Sequence, residues 1–193
     1  VPFAFGWSGA DMAILSAHKL GGPKGVGALI VRDGVEIASL RLGGGQEMGR
    51  RSGTENVAAI VGLGKACEIA GSDMESVAAR VTALRNDLWQ RLEAAVPGVM
   101  LNGHRTLRLP NTLNVRFPRT SGSTILAGAP AIAASTGSAC HAGGERASAV
   151  ILAMGVAPDD AVGSIRLTLG RGTTAADIAV TASALVQSWR SAA

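Results

Sequence analysis

The sequence predicts an α/β or α+β fold in two parts, and three observations carry that expectation. Short apolar runs of strand length alternate with longer stretches whose apolar residues recur at helical spacing. Glycine is abundant, 26 of 193 residues, which implies many turns and close backbone approaches. Hydrophobic residues make up 47% of the chain but aromatics only 3%, with no Tyr, so the core is expected to be built from Ala, Val, Leu and Ile.

The elements follow in order. Residues 12–15 and 27–31 read as two short buried strands around a glycine-rich turn, and Asp33-Gly34 marks the next turn. Residues 41–56 form a long loop, including Gly43-Gly44-Gly45-Gln46-Glu47-Met48, and loops of that length are usually functional. Residues 55–70 read as a helix with Cys67 among Ile60, Val61 and Leu63, so Cys67 is expected to be a buried core thiol. Asp73 or its neighbour caps a long helix, whose Val77, Val81, Leu84, Leu88 and Leu92 share one face until Pro97-Gly98 stops it. Residues 99–101, 112–117, 132–135 and 164–169 are strand-like, and 147–154 are helical. A closing helix spans 177–189, with Ile178, Ala182, Leu185, Val186 and Trp189 inward. The domain boundary falls near residue 71, dividing 1–70 from 71–193.

Composition narrows the functional classes. The net charge of +4 is scattered, with small clusters at Arg50-Arg51 and from Arg105 to Arg108. Without a basic stripe or interleaved aromatics, nucleic acid is not the expected partner. An anionic substrate or a cofactor phosphate suits the charge. No apolar stretch is long enough to span a bilayer, and no secretory signal is visible. The expectation is therefore no membrane partner and a cytoplasmic location. Two cysteines make neither a disulfide scaffold nor a metal site, which suits a reducing compartment.

The most informative stretch is Ser16-Ala17-His18-Lys19-Leu20-Gly21-Gly22-Pro23-Lys24-Gly25-Val26-Gly27. A strand ends in small and polar residues, a lysine follows, and glycines turn the backbone sharply. That arrangement can hold an amine near a carbonyl-bearing cofactor, with Ser and His as donors to an anion. It can equally be a tight strand–turn–strand with a surface lysine. The spacing is not that of a nucleotide-binding P-loop. Cys140 lies among small residues, in Gly137-Ser138-Ala139-Cys140-His141-Ala142, which leave its thiol accessible. A helix starting shortly afterwards would favour the thiolate.

The Lys19 segment resembles the Schiff-base lysine segment of pyridoxal 5′-phosphate (PLP) enzymes of the class V aminotransferase family. Arg51-Ser52-Gly53-Thr54-Glu55-Asn56 looks like the family's R-x-G-T motif. Gly137-Ser138-Ala139-Cys140 is similar to the catalytic-cysteine loop of group I cysteine desulfurases. Ser164-Ile165-Arg166-Leu167-Thr168-Leu169-Gly170-Arg171 is similar to their S-I-R-x-[ST]-L-G-R strand. The four motifs stand in the family's order, across essentially this whole chain and about the C-terminal half of the family's length.

The resemblance implies the fold type I PLP-transferase architecture: the C-terminal part of the large domain, with the Schiff-base lysine, plus the small α/β domain carrying the cysteine loop. It implies that Lys19 bonds PLP, that Ser16 and His18 hydrogen-bond its phosphate, and that Thr54 reaches a phosphate across a homodimer interface. Arg166 would bind the substrate carboxylate. Cys140 would take sulfur from L-cysteine, leaving a persulfide and alanine. The implied activity is L-cysteine desulfurase, serving iron–sulfur cluster or thio-cofactor synthesis through a sulfur-acceptor or scaffold protein, with no metal. Another class V PLP enzyme, such as an aminotransferase or selenocysteine lyase, would share Lys19 but need no Cys140. A non-catalytic assembly module of the same fold is the third reading. In the family, the aspartate facing the pyridine nitrogen, a ring-stacking histidine and a glutamine lie upstream of the segment matching Val1. This chain alone is therefore expected to be inactive, and to expose strand edges and apolar faces. Residues 120–134 also lack a carboxylate that relatives often carry there.

Overall fold

The computed structural model describes residues 4–137 and 147–192. The chain divides into two compact units, Val1–Met74 and Glu75–Ala193.

The first unit is built on an antiparallel hairpin. Strand β1 (Met12–Ser16) pairs with β2 (Gly27–Val31), with Met12 opposite Val31 and Ser16 opposite Gly27. The strands lie where the apolar runs put them, but their expected burial is not observed. Ile14 is 83% exposed, and Leu29 and Ile30 are also exposed. A two-stranded sheet has two faces, and burial needs a second layer over at least one of them. Helix α1 (Val57–Ser72) instead meets the hairpin at its turn: a Cβ on Gly22 would lie 3.1 Å from that of Ala66, and one on Gly62 would lie 2.6 Å from Pro23 Cγ. Asn56 caps α1 by accepting from the Ala59 amide at 3.2 Å.

Cys67 also departs from expectation, being half-buried rather than part of a core. Only Leu63 and Ala66 of α1 are buried, and the expected neighbours Ile60 and Val61 face solvent. An apolar helix stretch reports burial only when something packs on the face in question.

The second unit holds the hydrophobic core. Its elements are α2 (Met74–Ala95), β3 (Met100–Leu101), β4 (Thr112–Arg116), α3 (Gly122–Ala127), α4 (Ala149–Ala153), α5 (Pro158–Ala161), β5 (Ser164–Thr168) and α6 (Ala175–Ala192). Strands β3, β4 and β5 form an antiparallel sheet in that order. Strand alternation sends Leu113 and Val115 of β4, and Ile165 and Leu167 of β5, into the core. There they join Leu88 and Leu92 of α2 and Ile178, Leu185 and Trp189 of α6. Each such side chain contributes roughly 1.5–3 kcal/mol by leaving water. The inward face expected for the closing helix is the face observed.

Two polar groups of α6 that enter this core are partnered. Trp189 Nε1 donates to the Pro118 carbonyl at 3.1 Å, and Ser188 Oγ donates to the Ile125 carbonyl at 2.8 Å. The strand expected over 132–135 is reduced to one bridge, Ser135 with Arg166. The Ile132 amide bonds the Ala129 carbonyl at 2.9 Å, so the preceding residues close a turn after α3 instead of joining a ladder.

Candidate active site

The Ser16–Lys19 segment forms a clamped turn. Ser16 ends β1, and Ala17, His18 and Lys19 form one turn of 3-10 helix. Ala17 is fully buried and holds the turn from three directions. Its amide donates to the Val26 carbonyl at 3.1 Å, and its carbonyl accepts from the Leu20 and Gly22 amides at 2.9 Å each. Gly21 and Gly25 both sit at φ +82°, a conformation that favours glycine. A Cβ on Gly27 would run into the Leu15 carbonyl, so the strands close only over glycine there. The backbone is thus fixed while His18 and Lys19 remain exposed. Ser16 and His18 line a shallow concavity of about 500 Å³ with Ile14, Gly25, Gly27 and Leu29. A hydroxyl, an imidazole and an amine therefore come from one turn beside an apolar strand face.

The glycine-rich loop in the same unit folds on itself. Gln46 Oε1 accepts from the Gly53 amide at 3.2 Å, and Ser52 Oγ donates to the Leu42 carbonyl at 3.2 Å. Glu47 and Met48 occupy the left-handed region, at φ 51° and 58°, which non-glycine residues seldom adopt. Gly53, at φ +108°, then presents Thr54 in an exposed position.

In the second unit Arg166 lies mid-strand in β5, directly opposite Asn114 of β4. Its neighbours Ile165 and Leu167 point into the core, so Arg166 projects from the other face of the sheet. That face carries a polar network the sequence reading missed. Asn102 Nδ2 donates to Asn114 Oδ1 at 2.8 Å and to Ser164 Oγ at 3.0 Å, while Arg116 Nη1 donates to Asn102 Oδ1 at 2.6 Å. The alternation in Thr112-Leu113-Asn114-Val115-Arg116 carried the signal, but the cross-strand register was needed to join it to Asn102 and Ser164. Arg166 is half-buried, and among the described residues its guanidinium makes no hydrogen bond or ion pair. The main chain of Arg166 is held on its free edge by Ser135, at 2.7 and 3.2 Å. The result is a fixed strand presenting a fork of uncommitted donors, suited to a carboxylate.

Cys140 lies outside the described residues. Ser16, His18 and Lys19 are brought together by one turn, Thr54 belongs to the same unit, and Arg166 belongs to the other. Among the described residues there is no cluster of His, Cys, Asp or Glu able to hold a metal, and no helix long and apolar enough to cross a membrane.

Comparison with known proteins gives a consistent picture. The model of the aminotransferase class-V family matches residues 2–180. Cysteine desulfurase 2 of Trichormus variabilis is 47% identical over 180 residues, covering 92% of this chain and 45% of the relative. Cysteine desulfurase IscS of Clostridium botulinum is 45% identical over 172 residues, covering 87% and 43%. The crystal structure of a NifS-like protein from Rickettsia africae superposes with a TM-score of 0.85 at 32% identity, covering 98% of this chain and 50% of that one. The expected α/β class and the implied fold family agree with this likeness. The chain spans about half the length of the curated relatives it matches.

Proposed function

Because this chain belongs to the aminotransferase class-V family, we propose that it forms the lysine- and cysteine-bearing part of a PLP-dependent L-cysteine desulfurase. The observation that carries this reading is the Ser16–Lys19 turn, in a chain 47% identical to a cysteine desulfurase. The residues present fit the cofactor's chemistry. Ser16 and His18 offer donors to a phosphate from the rim of one concavity, and Lys19 offers an exposed amine from a turn that cannot shift. Thr54 adds a hydroxyl for a phosphate, and in a homodimer that phosphate belongs to the partner's site. When bound, PLP supplies the electron sink that carbon–sulfur cleavage requires, while the protein supplies orientation.

The chain's own groups then divide the work. Lys19 holds the cofactor through Nζ. The Arg166 fork orients the substrate carboxylate by paired, charge-assisted hydrogen bonds. The Cys140 thiolate forms a bond to the substrate sulfur as the carbon–sulfur bond breaks. Cysteine and a thiol thereby become alanine and a protein persulfide, with no external oxidant. A protein acceptor or scaffold takes the sulfur onward to iron–sulfur cluster or thio-cofactor synthesis.

The test uses the complete protein. Borohydride reduction with PLP bound, followed by peptide mapping, should place the pyridoxyl mass on Lys19, and labelling at Lys24 or Lys65 would refute the assignment. Cys140→Ser should still bind PLP and cysteine but release no alanine at a useful rate. Full sulfur transfer by that variant would reject its role.

A further inference from the structure

Apart from these motifs, the second unit buries Arg85 in an unusual place, with half-buried Arg108 beside it. Arg85 occupies the inward stripe of α2, between Val81 and Leu88, and is 7% exposed. Its guanidinium reaches only neutral acceptors. Nη1 donates to the Leu109 carbonyl at 2.7 Å, while Nη2 and Nε donate to Asn86 Oδ1 at 2.8 and 3.2 Å. Arg108 is its neighbour. Nη2 of Arg108 makes a long bond of 3.3 Å to the Asn102 carbonyl, and its Nε is buried with no acceptor. Burial lowers the affinity of both guanidiniums for their protons, and the Arg85 charge adds to that effect at Arg108. Among the described residues no ion pair involves Arg85 or Arg108, so no carboxylate compensates either arginine.

Two like charges held together in a partly buried site destabilise one another, and an orphaned buried donor adds its own cost. Such an arrangement persists when something negative neutralises it. The space for it exists. Arg85, Arg105 and Arg108 line one cavity of about 110 Å³, with Asn86, Trp89, Leu101 and Leu113 as the remaining wall. The apolar side chains lower the local dielectric and strengthen any charge-assisted bond made there. The volume is well under the ~300 Å³ at which pockets for drug-sized ligands begin. It is room for a few waters, or one compact anion, and not for a nucleotide.

We propose that Arg85, Arg105 and Arg108 of the second unit form a binding site for a single small inorganic oxyanion of the phosphate or sulfate class. Buried Arg85, exposed Arg105 and Arg108, whose buried Nε has no acceptor, all line this cavity. Three guanidiniums match the several acceptor oxygens of a tetrahedral anion.

Inorganic phosphate is the probe. The complete protein is first saturated with PLP, so that the cofactor's own phosphate contacts are filled, and is then dialysed to equilibrium against labelled phosphate at constant ionic strength. The expected result is one saturable site per chain, with affinity at least tenfold weaker in Arg105→Gln and in Arg108→Gln. Arg105 is exposed, so its substitution should leave the fold intact even if Arg108→Gln unfolds the unit. Binding that is unsaturable, or equal in wild type and Arg105→Gln, would overturn the proposal. So would the absence of phosphate binding with a destabilised Arg108→Gln, which would assign the pocket to a carboxylate elsewhere in the polypeptide. A protein that fails to bind PLP would refute the desulfurase reading while leaving the phosphate measurement, and its variants, interpretable.

Discussion

Replacing Arg166 by alanine should separate a binding role from a structural one. The side chain projects from β5 and makes no hydrogen bond or ion pair among the described residues. Removing it therefore takes nothing from the core and leaves no described partner orphaned. The stability cost should be that of an ordinary strand substitution, at most about 1 kcal/mol. Arg116, opposite Ser164 on the same sheet, is the control. It donates to Asn102 Oδ1 at 2.6 Å, and Asn102 is only 3% exposed. Arg116→Ala leaves that buried oxygen short of a donor, at a cost of about 1–3 kcal/mol. Binding should show the reverse order. A charge-assisted bond to a carboxylate is worth about 1.5–3 kcal/mol, so Arg166→Ala should raise KM for cysteine roughly tenfold to a hundredfold. Arg166→Lys keeps the charge but loses the fork, and should fall between. Alanine formation against cysteine concentration, with thermal unfolding of each variant, reads both quantities. A KM within twofold of wild type in Arg166→Ala, or a loss of stability matching that of Arg116→Ala, would refute the assignment.

Two other predictions concern the scaffold of the second unit. Gly163→Ala would drive a Cβ into the Phe117 carbonyl oxygen and to 3.1 Å from that of Thr120, both backbone atoms that cannot swing away, so thermal unfolding should show a loss of about 1–3 kcal/mol. Thr174 and Asp177 form a reciprocal cap on α6: the Thr174 amide and hydroxyl each donate to Asp177 Oδ2 at 2.8 Å, and the Asp177 amide donates back to Thr174 Oγ1 at 3.2 Å. Thr174→Ala should cost about 0.5–2 kcal/mol. The Thr174 amide first, and its hydroxyl second, hold the Asp177 carboxyl below its ordinary value. The folded value lies below the unfolded one, so this stabilisation is present above the ordinary carboxylate range and is lost as pH falls through the folded value. Unfolding midpoints measured down through acid pH should therefore show the deficit of Thr174→Ala narrowing as pH falls, and a deficit that stays constant into acid would count against the cap.

Much of the second unit was legible because its helices and strands pack on one another. The helical spacing from Val77 to Leu92 and the inward set from Ile178 to Trp189 name faces that are in fact packed. Arg85 was passed over because it interrupts an apolar stripe, and a polar residue at such a position has meaning only when its partners across the fold are known. The first unit was legible in its chain path but not in its burial. Ile14, Leu29, Ile60 and Val61 have the composition of buried positions, yet composition cannot say whether a covering layer is present. The segment 132–135 failed for a local reason, since one amide committed to a turn left a single residue to pair.

The candidate site residues divide along the same physical line. The turn that carries Lys19 was readable because its requirements are local: a strand end, a buried alanine closing a tight turn, and glycines where φ is positive. All of that lies within twelve consecutive residues. Arg166 was readable as a motif, but its availability depends on non-local facts. Asn102, Asn114, Arg116 and Ser164 satisfy one another, and Arg166 remains outside their network. A guanidinium drawn into that network would exchange a binding role for a structural one. The network therefore keeps the face polar and ordered without occupying the fork. This makes Asn102 the residue through which sheet stability and the proposed carboxylate recognition are most directly linked, because it bonds Asn114, the cross-strand neighbour of Arg166, and also Arg116 and Ser164.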